Sequence, residues 1–79
     1  MKYLRDNMRL QYLGRRIREL RLSQNITQDQ LAFEAGISKN QLGRIERGEI
    51  NTGISTLFAI ADALNVEVKD IFIFDKVSS

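Results

Sequence analysis

Residues 26–48 read Ile26-Thr27-Gln28-Asp29-Gln30-Leu31-Ala32-Phe33-Glu34-Ala35-Gly36-Ile37-Ser38-Lys39-Asn40-Gln41-Leu42-Gly43-Arg44-Ile45-Glu46-Arg47-Gly48. Two helix starts lie in this stretch, eleven residues apart. Thr27 with Gln30, and Ser38 with Gln41, each place a hydroxyl three residues before a glutamine. That is the capping-box spacing: the hydroxyl accepts from the third helical N–H and the glutamine reaches back to the main-chain N–H of the hydroxyl residue. Between the two starts, Gly36 supplies a left-handed stop at little steric cost. The spacing predicts a helix 2 that turns Leu31, Ala32 and Ala35 inward. A helix 3 follows, with Leu42 and Ile45 inward and its end at Gly48.

Outward from this pair, helical periodicity continues on both sides. Leu10, Leu13, Ile17 and Leu20 form one stripe, which predicts helix 1 from about residue 8 to Ser23. Residues 1–7 read either as an N-terminal arm or as an extension of that helix. Glu49 to Gly53 is a polar loop. Leu57, Ile60, Ala61 and Leu64 predict helix 4 over about Ile54 to Leu64, with Thr52 and Gly53 competing for its N-cap and Asn65 as a left-handed end. A short helix 5 is expected from about Val68 to Phe72, with Ile71 and Phe72 plugging the core. Ile73 and Phe74 have less core to reach, and an exposed apolar pair suggests a subunit interface. Residues 75–79 form a short polar tail. The expected fold is all-α, five helices in one domain over residues 8–74.

The composition narrows the chemistry. Seventy-nine residues make one small domain, and 43% apolar with 28% charged residues is ordinary for a globular chain. The sequence contains no Cys, His, Trp or Pro. Without Cys and His there is no disulfide, no zinc site of the usual ligand types, and no Ser-His or Cys-His nucleophile. Glu46 and Glu49, three apart, form a carboxylate pair with no pocket to serve. No metal and no cofactor is expected, and the protein is not expected to be an enzyme. No apolar run approaches the roughly 20 residues of a membrane span, and the charged start Met1-Lys2-Tyr3-Leu4-Arg5-Asp6 is unlike a signal peptide. A cytoplasmic protein without a membrane partner is the expectation.

Net charge is only +2, but it is unevenly placed. Residues 1–22 carry seven basic groups against Asp6 and Glu19, and residues 23–79 carry five against eight acidic ones. Within that acidic remainder, residues 38–48 hold Lys39, Arg44 and Arg47 against Glu46 alone. Two basic islands in an acidic domain suggest an anionic partner met on one side, while charge alone favours a solvated helix face. Arg15, Arg16 and Arg18 on helix 1 read equally well as phosphate contacts and as a solvated face.

Two short helices joined by a tight glycine turn are the helix-turn-helix unit. In that unit the first helix crosses the groove with its N-terminus toward a phosphate, and the second lies in the major groove with its first residues at base edges. Here the chain resembles a known family. Ile26-Thr27-Gln28-Asp29-Gln30-Leu31-Ala32, Gly36-Ile37-Ser38, Ile45-Glu46-Arg47-Gly48 and Ala61-Asp62-Ala63-Leu64-Asn65-Val66 are similar to the phage repressor and Cro type of helix-turn-helix, the XRE family. The similarity covers about residues 13–72.

The resemblance implies a five-helix, lambda-repressor-like DNA-binding domain with the helix-turn-helix formed by helices 2 and 3. It implies sequence-specific binding of double-stranded DNA, most often by a homodimer on a near-palindromic operator. By position, Lys39, Asn40 and Arg44 would read bases, with Gly43 at a contact position where it removes a side chain and permits close approach. Gln28, Thr27, Ser38 and Gln41 would lie at the phosphates, and Gln28 would also brace helix 3. Arg21 and Glu46 match an internal salt bridge of the family. The chain departs from the family after helix 3, where many relatives are basic. Glu49 would repel phosphate there, leaving Asn51 and Thr52 for neutral contacts. A transcriptional repressor is the leading reading. The alternatives are an antitoxin that binds a toxin and its own operator, a restriction–modification controller, and a protein-interaction module without DNA binding.

Overall fold

A computed structural model of the protein describes the backbone of residues 2–73 and the side chains of residues 7–73. Helix α1 spans Lys2–Ser23, α2 Gln28–Ala35, α3 Lys39–Glu46, α4 Ile54–Leu64 and α5 Val68–Ile71. Among the described residues there is no strand, as expected. Helix α1 begins at Lys2, so residues 2–7 extend helix 1, one of the two readings of residues 1–7. Lys2, Leu4, Arg5, Met8 and Arg9 are good helix formers, and neither Pro nor Gly precedes Gly14, so nothing local stops the helix from propagating toward the N-terminus.

The ends of the shorter helices follow the cap chemistry. Thr27 and Gln30 make the full box: Thr27 Oγ1 accepts from Gln30 N–H at 3.0 Å and Gln30 Oε1 accepts from Thr27 N–H at 2.8 Å. At the second start only half of the box forms, with Ser38 Oγ accepting from Gln41 N–H at 3.0 Å. Gly36 sits at φ 75°, ψ 28°. In that conformation its own N–H donates to Phe33 O and the Ile37 N–H to Ala32 O, at 3.2 and 3.0 Å. Asn65 ends α4 in the same left-handed region at φ 61°, and Asn25 adopts it at φ 58° in the α1–α2 turn. Of the two candidates for the α4 N-cap it is Gly53, which makes no side-chain capping bond.

All five helices contribute to one core. Ile17, Leu31, Leu42, Ile60, Leu64 and Ile71 are fully buried in it. Ile71 fills the place expected of it, but Phe72 does not, being 46% exposed. Helix α5 is a single turn that ends at Ile71, so Ile71 alone of the pair points inward. Two long polar side chains tie α1 to the C-terminal half. Arg16 Nε donates to the Asp70 carbonyl at 2.8 Å, and Gln24 Nε2 donates to the Leu64 carbonyl at 2.7 Å. Arg16 therefore braces α5.

Helix α1 also approaches α3 closely. At Gly14 an added Cβ would strike the main-chain carbonyls of Ile45 and Glu46. That contact sets where α3 lies relative to the rest of the domain, which makes Gly14 part of the positioning of the site. Among the described residues no helix is long and apolar enough to cross a membrane.

Candidate nucleic-acid interface

The base of the site is a buried charge cluster on the inner side of α3. Arg21, from the last turn of α1, meets Glu46 through two bonds, Nε to Oε2 at 2.8 Å and Nη2 to Oε1 at 3.1 Å. Arg21 Nη1 also donates to the Ile26 carbonyl at 3.0 Å. Gln28, the first residue of α2, donates from Nε2 to Glu46 Oε1 at 2.9 Å. One carboxylate thus joins the end of α1, the start of α2 and the end of α3. The ion pair implied by the resemblance is present, and Gln28 braces α3 as expected.

The outer side of α3 carries the predicted readers. Lys39, Asn40 and Arg44 are all exposed, on the stretch that starts at the Ser38 cap and runs beside the α2 N-terminus. Thr27 and Ser38 are exposed too, with their hydroxyls already accepting the capping N–H groups. Gln41 is half-buried and Asn51 exposed. Thr52 is different: its Oγ1 is enclosed and has no hydrogen-bond partner among the described residues. Ile73 is 57% exposed, whereas Phe74, the other candidate for a subunit interface, lies outside the described residues.

Each basic reader has a carboxylate near it. Lys39 Nζ lies 3.9 Å from Asp29 on the first turn of α2, and Arg44 Nε lies 4.0 Å from Glu49. Glu49 is more firmly engaged by Arg47, whose Nε and Nη2 donate to its two oxygens at 2.8 and 3.2 Å. Hydrogen bonding from Arg47 holds the Glu49 carboxyl below its usual range, and the same bonds raise the Arg47 guanidinium. The Arg47 side chain runs back along α3 over Gly43, which is buried beneath it although it lies on the face where the readers stand.

In the sequence Arg47 counts only toward the basic island of residues 38–48. It falls four residues after Gly43 and three after Arg44, so helical spacing already continued the stripe to it. Its position just before Gly48 read as a helix end, and Glu49 read as a residue that repels phosphate rather than one that holds an arginine.

With this geometry described, the similarity to known proteins is specific. Residues 17–71 match the sequence pattern of the helix-turn-helix family HTH_3. The chain belongs to that family. It is 35% identical over 75 residues to the control protein C.BamHI of Bacillus amyloliquefaciens, covering 94% of this chain and 91% of that protein. It is 42% identical over 59 residues to the immunity repressor protein of Bacillus phage phi105, covering 75% of this chain but only 41% of that longer protein. Among solved structures, the restriction–modification controller protein C.AhdI from Aeromonas hydrophila superposes with a TM-score of 0.79 at 35% identity, over 80% of this chain and 96% of that one. The fold expected from the sequence, five helices with the helix-turn-helix at α2 and α3, is the fold observed. These relatives are regulators and controllers rather than enzymes.

Proposed function

We propose that the protein regulates transcription by binding a specific double-stranded DNA sequence, with α3 in the major groove. The observation that carries this reading is the face of α3 itself. Lys39, Asn40 and Arg44 stand exposed on it, while its other side is fixed to α1 and α2 through buried Glu46. A rigid helix presenting Arg, Lys and Asn suits base readout, since Arg or Lys donates to guanine O6 and N7 and Asn pairs with adenine N6 and N7. The α2 N-terminus beside it, with Thr27 and Gln28, suits a phosphate. The protein's work is binding rather than catalysis, and the bound protein represses by excluding polymerase from a promoter. A homodimer would set two copies of α3 about 34 Å apart, one turn of DNA, and exposed Ile73 is a candidate for the contact between copies.

Selection from a random duplex library tests the reading. A single enriched motif is expected, and Arg44→Ala should weaken binding to it by about 1–3 kcal/mol and relax one base position. Enrichment of no sequence overturns it. Sedimentation of Ile73→Asp against wild type tests the contact between copies: loss of the dimer is expected, and an unchanged mass removes Ile73 from it.

The near end-to-end alignment with C.BamHI and C.AhdI favours a second, narrower reading, a controller of a restriction–modification system. Neighbouring genes for a DNA methyltransferase and an endonuclease would support it, and a neighbourhood without them would leave a repressor.

A further inference from the structure

We infer that Arg47 is an additional base-reading residue and that Glu49 positions it, so that the pair raises discrimination between specific and non-specific DNA. The inference deepens the proposed function and rests on α3 being the DNA-reading helix.

Three observations lead to it. The first is the place of Arg47. Its guanidinium is not directed away from α3 but laid back along it: a Cβ at Gly43 would stand 3.1 Å from Arg47 Nη1. A side chain at 43 would compete with Arg47 for this space. The glycine that removes one contact from the reading face thereby admits another, supplied from one turn later.

The second is how Arg47 is held. Glu49 takes Nε and Nη2, one edge of the planar fork, at 2.8 and 3.2 Å. Nη1 and the second hydrogen of Nη2, which form the other edge, are not used by that carboxylate. Guanine presents O6 and N7 to just such a pair of donors. A guanidinium already fixed on one edge has less side-chain freedom to lose when the other edge binds. Both partners are more than half or nearly half exposed, at 59% and 49%, and an exposed pair binds weakly enough not to compete seriously with a base contact.

The third is the sign of Glu49. Its carboxylate also lies 4.0 Å from Arg44 Nε, so it stands between two cations of the reading face. Away from the correct sequence, with α3 held only by backbone contacts, this negative charge opposes phosphate and offsets part of the attraction of both arginines. That is specificity by a repulsive element added to an attractive one.

The experiment is the duplex selection repeated with Arg47→Ala, Arg47→Lys and Glu49→Gln, each checked for an unchanged melting profile. Wild type is expected to select a guanine at one position per half-site that is different from the position governed by Arg44. Arg47→Ala should lose that preference, by about tenfold for one good bidentate contact. Arg47→Lys should hold non-specific duplex as well as wild type yet fail to restore the preference. Glu49→Gln should bind non-specific duplex several-fold more tightly with a smaller ratio of specific to non-specific affinity. An unchanged motif in Arg47→Ala would show that Arg47 meets only phosphate and overturns the inference; full restoration by Arg47→Lys would show that a planar fork held on one edge is not what reads the base and overturns the part assigned to Glu49. An equal rise of both affinities in Glu49→Gln overturns the part assigned to Glu49. If wild type itself enriches no sequence, the proposed function fails first; if wild type enriches a motif that none of the three variants alters, this inference alone fails.

Discussion

The molecule contains the same ion pair twice. Arg21 grips Glu46 through Nε and Nη2 at 2.8 and 3.1 Å, and Arg47 grips Glu49 through the same two nitrogens at 2.8 and 3.2 Å. Bond lengths do not distinguish them. Burial does: the side chains of the first pair are 9% and 2% exposed, those of the second 59% and 49%. In the first pair each charge has given up water and depends on its partner, so the pair fixes geometry. In the second, water can replace either partner at any time, so the pair biases an orientation and contributes little to the fold. The inner pair holds α3 in place, and the outer pair is arranged on its exposed face.

Breaking the inner pair should have the largest effect. Arg21→Ala or Glu46→Ala leaves an uncompensated buried charge, and a loss of about 3–5 kcal/mol of stability is expected, a large share of the total for a domain this small. Thermal melts of the single variants, and of Arg21→Met combined with Glu46→Leu, sharpen the comparison. The double variant should recover much of the loss, because two apolar side chains strand no charge. Single variants that melt with wild type would mean that water reaches the inner pair and that the two pairs do not differ.

Gln28→Ala comes next. Gln28 joins the two regions, donating to buried Glu46 from a half-buried position at the α2 N-terminus. Its loss removes one of three donors to that carboxylate while both arginine bonds remain, so about 1.5 kcal/mol is expected from a single bond to a charged group. DNA affinity should fall by a similar factor on every duplex, since a displaced α2 terminus affects phosphate contact and not one base. A change in sequence preference instead would place Gln28 with the readers.

What could be read in the sequence follows the same division. Signals local to a few residues were legible: the Thr27 box, the Gly36 stop, the left-handed Asn65 and the inward stripes of α1 to α4, whereas on the single turn of α5 only Ile71 of the expected pair is inward. The Arg21–Glu46 pair, twenty-five residues apart, came from the resemblance and not from spacing. Features that depend on how two surfaces meet were not legible. Gly14 looked like any helix glycine until α1 was placed on the carbonyls of Ile45 and Glu46. Ser38-Gln41 has the same spacing as Thr27-Gln30 but closes only one of its two bonds, because the spacing permits the return contact without requiring it. Glu49 was read by its charge toward phosphate, and its hold on Arg47 depended on a side-chain conformation that Gly43 makes room for.

The outer pair should give the smallest effect, and one visible mainly in acid. Arg47→Ala and Glu49→Gln are expected to melt with wild type near neutral pH within the scatter of the measurement. The Glu49 carboxyl is held below its ordinary value of 4.5, first by its hydrogen bond from Arg47. A carboxyl lowered in the folded state contributes stability at pH above its unfolded value and loses it as pH falls through the folded one. Any difference between wild type and Glu49→Gln should therefore be constant above about pH 4.5 and close below it. Direct titration of the Glu49 carboxyl by carbon-detected NMR is the more sensitive measurement. Its midpoint should lie below 4.5 in wild type and rise toward that value in Arg47→Ala. Equal midpoints in the two proteins would mean that Glu49 does not hold Arg47 in solution. The outer pair would then cease to be a weaker copy of the inner one, and Glu49 would act on DNA by its charge alone.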